Sequence, residues 1–355
     1  QMDARSRMVQ FWRWFQGIEG AFYTALQKQQ SEERNRYEEM INQKMEQLCG
    51  CKAVYEVDDH YMEMTCESGA RKNIQYLCGL WETCAPQELR SRWIFNAFRK
   101  PLGEMAQHAY FELKGKRYGG HDIKVYYTID DAAKLLHLQL YCEGFCYVEK
   151  KAAKEMAMYL LELYIGELEL EARIGDVSIL DAPIDAQDVV LLPNLYEDIC
   201  DIVIDRNWLE YRDPTQIYFA YQLDHPVQNE SLRKDMVAIV TSHPLLFEEL
   251  VNQTYDQLHE FSTFGAEYGY LYYEPLAEKE KKSMIRAQYE KQIHELLSPL
   301  GIARTIGGAI GTKYAYIDMA IFDKKAFYQA LEKINEKVDV MFTYRAFMGE
   351  EEGKE

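Results

Sequence analysis

An amphipathic helix that runs into a β-rich stretch occurs twice in this chain, once towards each end, and this restricts the fold more than any other feature. The first copy places Ile74, Leu77, Cys78 and Trp81 at i, i+3, i+4, i+7 and leads into Trp93-Ile94-Phe95-Asn96-Ala97-Phe98-Arg99. The second repeats that spacing with Phe327, Ala330, Leu331 and Ile334 and leads into Val340-Met341-Phe342-Thr343-Tyr344-Arg345. A 3.6-residue stripe followed by a strand-like run, used at both ends, predicts an α+β protein with two related layers.

The rest of the chain fills in around the two copies. Helical stretches are expected from Phe11 to Leu26 and from Ser31 to Cys49, the second stopped by Gly50. Alternation on either side of Asp58-Asp59 predicts a hairpin, and Ile123–Thr128 with Lys134–Leu140 predicts another across Asp130-Asp131. A helix from Lys151 ends near Gly166. Residues 183–214 are acidic, carry Pro183, Pro193 and Pro214, and hold one short amphipathic helix around Leu195, Ile199 and Ile202. They are expected to link an N-terminal α+β domain (residues 1–182) to a C-terminal one (residues 215–355). From Tyr268 to Phe347 the pattern reads β-α-β-β-α-β, the order of a ferredoxin-like split βαβ. Residues 31–100 show α-β-β-α-β and lack an obvious first strand.

Composition narrows the partners. A formal charge of −18 repels phosphate backbones within a Debye length of about 8 Å, so no nucleic acid is expected, and a basic protein is allowed as a partner without being required. No apolar run approaches the roughly 18 residues of a membrane span and no secretory segment is visible, so no membrane partner is expected. The eight cysteines fall on apolar faces without a disulfide framework. Reduced thiols in a cytoplasmic protein are the expectation.

The opening Phe11-Trp12-Arg13-Trp14-Phe15, Ala85-Pro86 with Trp93, Ala97-Phe98-Arg99 with Pro101, and Ile165-Gly166-Glu167 followed by Ile174-Gly175 resemble a family of uncharacterised bacterial proteins common in Bacteroidetes. The resemblance covers residues 9–180 and extends loosely beyond. It implies a cytoplasmic protein and, through some relatives, a link with immunity proteins encoded beside polymorphic toxins. It supplies no catalytic residues.

Candidate chemistry is sparse. Gly307-Gly308-Ala309-Ile310-Gly311-Thr312-Lys313 departs from a Walker loop in its glycine spacing and in the order of Thr and Lys, and reads as a glycine-rich hairpin tip. Cys49-Gly50-Cys51 and Cys142 with Cys146 could together offer four thiolates, but 91 residues separate the pairs, and no metal or cofactor is expected. Asp58, Asp59 and His60 read as turn residues. His225-Pro226 and His243-Pro244 read as turns or helix starts, and no G-x-S-x-G is present. No catalytic residue is assigned.

Two surfaces are left. Tyr268, Tyr270 and Tyr272 share one strand face. That face is covered either by the N-terminal sheet or by a partner, for which tyrosine is well suited. Arg99 and Arg345 end equivalent strands and are candidate anion contacts. The reading is a non-enzymatic, cytoplasmic protein-binding module of immunity type. The alternatives are an enzyme whose site assembles only in three dimensions and a small-molecule-sensing ferredoxin-like protein.

Overall fold

The computed structural model describes residues 1–186, 188–223, 230–276 and 278–348. Asp3 starts the first helix, α1 (Ala4–Gln27), by accepting the Ser6 amide at 2.7 Å. Helix α2 (Ser31–Cys49) stops at Gly50, whose φ of 70° is the left-handed conformation that releases a chain from a helix. A hairpin follows, β1 (Lys52–Val57) and β2 (Met62–Glu67), closed by Asp58, whose carboxylate accepts the His60 amide at 3.1 Å. Helix α3 (Lys72–Thr83) then returns the chain to β3 (Trp93–Asn96), which pairs with β2 in parallel. The aromatic stripe of α1 packs on this layer. Trp12 meets Trp81 at 5.1 Å and Phe95 at 4.7 Å, and Phe15 meets Trp93 at 5.5 Å. Glu19 is buried among these rings because Trp93 Nε1 and the Arg92 guanidinium all donate to it at 2.7 Å.

The middle of the chain forms its own unit, residues 98–217. It contains the pair β4 (Tyr110–Leu113) and β5 (Lys116–Gly119), then the expected hairpin of β6 (Lys124–Asp130) and β7 (Leu135–Tyr141). Helix α4 (Lys150–Arg173) breaks its helical geometry at Gly166 but continues beyond it. Gly166 has φ 82°, and a Cβ there would lie 2.8 Å from the Pro101 ring. Next come β8 (Ile174–Ile179), β9 (Val189–Leu191) and α5 (Leu192–Asp205), giving a sheet of order β8-β7-β6-β9. The acidic stretch 183–214 is therefore not a linker. Strand β9 pairs with β6, and Leu195, Ile199 and Ile202 of α5 enter the core beside Leu160 and Leu161, leaving Glu197, Asp201 and Asp205 outside.

The chain then builds β10 (Phe219–Gln222), β11 (Met236–Thr241), α6 (Pro244–Asn252), α7 (Asp256–Thr263), β12 (Glu267–Tyr273), α8 (Lys282–Leu297), β13 (Ala303–Gly311), β14 (Ala315–Ile321), α9 (Lys324–Asn335) and β15 (Thr343–Ala346). From β12 to β15 the elements follow the order β-α-β-β-α-β. The six-stranded sheet runs β10-β11-β13-β14-β12-β15, antiparallel at every pairing. Helices α8 and α9 cover one face, where Ile293, Leu297, Phe327 and Leu331 meet Leu271, Ile317 and Met319.

The three glycines expected at a hairpin tip, Gly307, Gly308 and Gly311, all lie within β13. Gly307 sits at a register shift with φ 129°, and a Cβ there would stand 2.1 Å from the Val240 carbonyl. Over this bulge the buried Arg286 guanidinium reaches the Gly307 and Tyr316 carbonyls at 3.5 and 3.4 Å. The turn itself is held by Asp235, which accepts the Lys313 and Tyr314 amides at 3.0 and 2.9 Å.

The two layers are related in topology. Removing β12 from the order β13-β14-β12-β15 would bring β14 and β15 together in parallel. The N-terminal order β1-β2-β3, antiparallel and then parallel, is that arrangement. The first strand missing from the N-terminal pattern thus accounts for the direct pairing of β2 with β3. Residues 1–97 and the described residues from Tyr218 onward make one compact unit, in place of the expected break near residue 182. Among the described residues no helix is long and apolar enough to cross a membrane.

Trp81 and Trp93 are almost fully buried, as the stripe pattern requires. Truncating Trp81 to Ala should cost roughly 3–5 kcal/mol, the usual cost of deleting a buried aromatic side chain. Chemical denaturation measures it, and an unchanged midpoint would place the stripe outside the core.

Candidate metal centre

The tyrosine face is sealed from within. Tyr268 and Tyr270 are 2% and 6% exposed and Tyr272 is half-buried. Tyr268 stacks on Phe261 of α7 at 4.0 Å, meets Tyr76 of α3 at 6.3 Å and donates its hydroxyl hydrogen to Asn73. Tyr270 is covered by Phe347 at 5.2 Å and by the Arg233 guanidinium at 4.9 Å, itself paired with Asp318 at 2.7 Å. The cover over Tyr268 and Tyr270 comes from helices and a loop rather than from the N-terminal sheet, and it removes these two rings as a partner platform, while Tyr272 stays half-buried. Arg99 and Arg345 do not form an anion site together. Arg99 lies beyond β3 in the middle unit, 7% exposed, with its backbone amide donating to Glu167 at 3.0 Å, whereas Arg345 lies in β15 beside Tyr270.

His243 is a helix start, as its proline suggested. Its Nδ1 accepts the Leu246 amide at 3.2 Å, which leaves Nε2 to donate to Asn73 Oδ1 at 2.9 Å. Burial, with Lys72 nearby, lowers its pKa from 6.5 to about 3. His225 lies outside the described residues.

Four thiols converge where no local motif announces them. Cys49 ends α2, Cys51 follows the Gly50 cap, Cys66 lies in β2 opposite Ala53, and Cys78 lies on the inner stripe of α3. All four are buried. The sulfurs of Cys49, Cys51 and Cys78 lie within 4.8 Å of one another, with Cys51 3.6 Å from each of the others, and the buried Cys66 thiol lies beside this trio but outside its 4.8 Å spacing. Hydrogen bonds from Cys49, Cys66 and Cys78 pull the Cys51 pKa down, while burial pushes Cys66 and Cys78 well up. Cys49 is raised chiefly by its hydrogen bond to Cys51.

Of the two cysteine pairs that the sequence offered, Cys49 and Cys51 lie in this cluster and Cys142 and Cys146 do not. Cys142 and Cys146 belong to the middle unit, and Cys146 is exposed. The true neighbours could have been found by parity: Cys66 shares its buried strand face with Met62 and Met64, and Cys78 was already on the helix stripe. Comparison with family models, curated proteins and solved structures finds no match to this chain.

The His243 assignment carries a pH dependence. Its folded pKa lies below its ordinary value, so the unfolded chain binds the proton first, and the stabilisation present above about pH 6.5 is lost as pH falls towards 3. His243→Asn keeps a capping side chain without the titration. The drop in melting temperature between pH 7 and pH 4.5 should be smaller in that variant than in the wild type, and an equal drop would contradict the assignment.

Proposed function

We propose that this chain is a non-enzymatic metal-thiolate protein in which Cys49, Cys51, Cys66 and Cys78 hold a single zinc-class ion that locks the N-terminal layer. The carrying observation is the spacing of the sulfurs. Four ligands about 2.3 Å from a central ion stand about 3.8 Å apart, and the two closest pairs here stand at 3.6 Å. Thiolates select soft metals. An iron–sulfur cluster has its own irons and sulfides to accommodate and needs its ligands further apart. Burial of all four residues, with only Cys51 retaining a few per cent of exposure, fits a closed structural site rather than a catalytic one with an open position. Structural zinc contributes about 10–16 kcal/mol in small domains, comparable to the whole stability of an ordinary protein, so α2, the hairpin and α3 would depend on the ion for their mutual placement.

A partner-binding role is the second reading, and it rests on a different place. The strand order of the C-terminal elements supports a ferredoxin-like core extended by β11 and β10. All four residues of β10, Phe219 to Gln222, are exposed, with neither a proline nor a charge to discourage pairing. Such an edge suits strand addition by an extended segment of another protein, of the immunity type implied by the sequence resemblance.

Metal-free protein titrated with cobalt(II) should develop thiolate-to-cobalt charge-transfer and tetrahedral d–d absorption, and zinc should displace it. Zinc at a thousandfold excess over its Kd should add about 4 kcal/mol of stability. Cys66→Ser and Cys78→Ser should abolish the spectrum, whereas Cys142→Ser should leave it intact. A cobalt spectrum that survives Cys66→Ser and Cys78→Ser, or no uptake at all, would remove the centre.

A further inference from the structure

One sulfur in the cluster differs from the rest in position. Cys51 stands between Cys49 and Cys78, 3.6 Å from each. It lies on the connection between α2 and β1 and is 5% exposed, whereas Cys49, Cys66 and Cys78 are fully buried. The connection reaches the surface, since the Gly50 carbonyl accepts from the exposed Arg71 guanidinium at 2.9 Å. A small oxidant therefore meets Cys51 first.

The partner for a disulfide follows from geometry. A sulfur–sulfur bond is about 2.05 Å long, so closing Cys51 on Cys78 asks for about 1.5 Å of movement, within the range of side-chain rotation. Cys49 is equally near, but bonding it to Cys51 would close a small ring through Gly50 at the helix stop, where φ is 70°. Cys49 Sγ is also engaged with the Met45 carbonyl at 3.4 Å. Cys78 sits on a separate element and carries no such ring strain.

We infer that the thiol centre is also a redox site, in which a hydroperoxide oxidises Cys51, Cys78 resolves it, and the resulting disulfide expels the bound ion; this last consequence rests on the metal reading above. In the first step the Cys51 sulfur bonds to the terminal peroxide oxygen, the O–O bond breaks, and the leaving alkoxide (hydroxide where the oxidant is hydrogen peroxide) takes a proton to leave as the alcohol or water. In the second the Cys78 sulfur attacks the Cys51 sulfenic acid, the S–S bond forms, the S–O bond breaks, and a water leaves. Two thiols supply the two electrons that reduce one hydroperoxide. A tetrahedral site that loses two of its four ligands no longer holds its ion.

The test uses the full chain carrying Cys146→Ser, which removes the exposed thiol, and hydrogen peroxide as the probe. Zinc-loaded protein should release its zinc to a chromogenic chelator in step with a Cys51–Cys78 linked peptide in non-reducing mass spectrometry, and dithiothreitol should restore both the thiols and zinc uptake. Zinc-free protein should form the same link, faster. Cys78→Ser should prevent the link and leave Cys51 as a sulfenic acid that dimedone traps. If zinc binds but peroxide neither releases it nor yields the link, the redox inference falls while the metal centre stands. If zinc never binds, the metal reading falls, and the zinc-free arm still decides the disulfide: a Cys49–Cys51 link, or none, overturns it.

Discussion

The Asn73 side chain ties the two ends of the chain together. Its Oδ1 accepts from His243 Nε2 and from the Tyr268 hydroxyl, and its Nδ2 donates to the Gln257 carbonyl and to Glu260, both at 3.1 Å. Every hydrogen-bonding position of a fully buried amide is thus filled from the C-terminal part of the sequence. Leaving one such group unmatched costs about 1–3 kcal/mol, so the network specifies where α3 must lie on the C-terminal sheet. From that helix Cys78 and Trp81 enter the N-terminal layer, and through them its hairpin and α1 are placed. A single compact unit built from the two ends of the chain, with residues 98–217 forming the other unit, follows from this pairing.

Other buried polar groups do similar work. Glu19 anchors Trp93 and Arg92, Asp235 holds the β13–β14 turn, and Arg286 spans the bulge at Gly307. Each has partners placed by the backbone, which is what allows a charged group to stay inside without a large desolvation cost. His243 belongs with them. Both its ring nitrogens are engaged, and its neutral form is the one the site requires. These residues carry the chemistry-bearing side chains that sequence inspection notices first, and the fold spends them on position.

The thiol cluster is organised differently. Cys49, Cys51 and Cys78 meet through sulfur contacts of 3.6 Å, and sulfur is a weak donor and acceptor, so the cluster draws little from hydrogen bonding. A central cation would replace protons with strong bonds in all four directions at once. That difference separates it from the satisfied polar networks around it and makes it the place where added chemistry has most to gain.

Periodicity in the sequence determined much of the architecture. The stripes of α3 and α9, the hairpins at Asp58 and Asp130, and the order of elements from β12 to β15 each follow from apolar residues recurring at the period of a helix or a strand. Local backbone chemistry determined the stop at Gly50 and the helix start at His243. What lies across space was decided only by tertiary structure. The acidic stretch 183–214 looked like a linker because its charges are visible in sequence, whereas the burial of its other face depends on β6 and α4. The tyrosine face was expected under the N-terminal sheet or a partner, because nothing local shows that α3, α7 and Arg233 close over Tyr268 and Tyr270. Cys66 and Cys78 join Cys49 and Cys51 because β2 and α3 pack against the end of α2. Side chains brought together by three elements leave no common spacing along the chain.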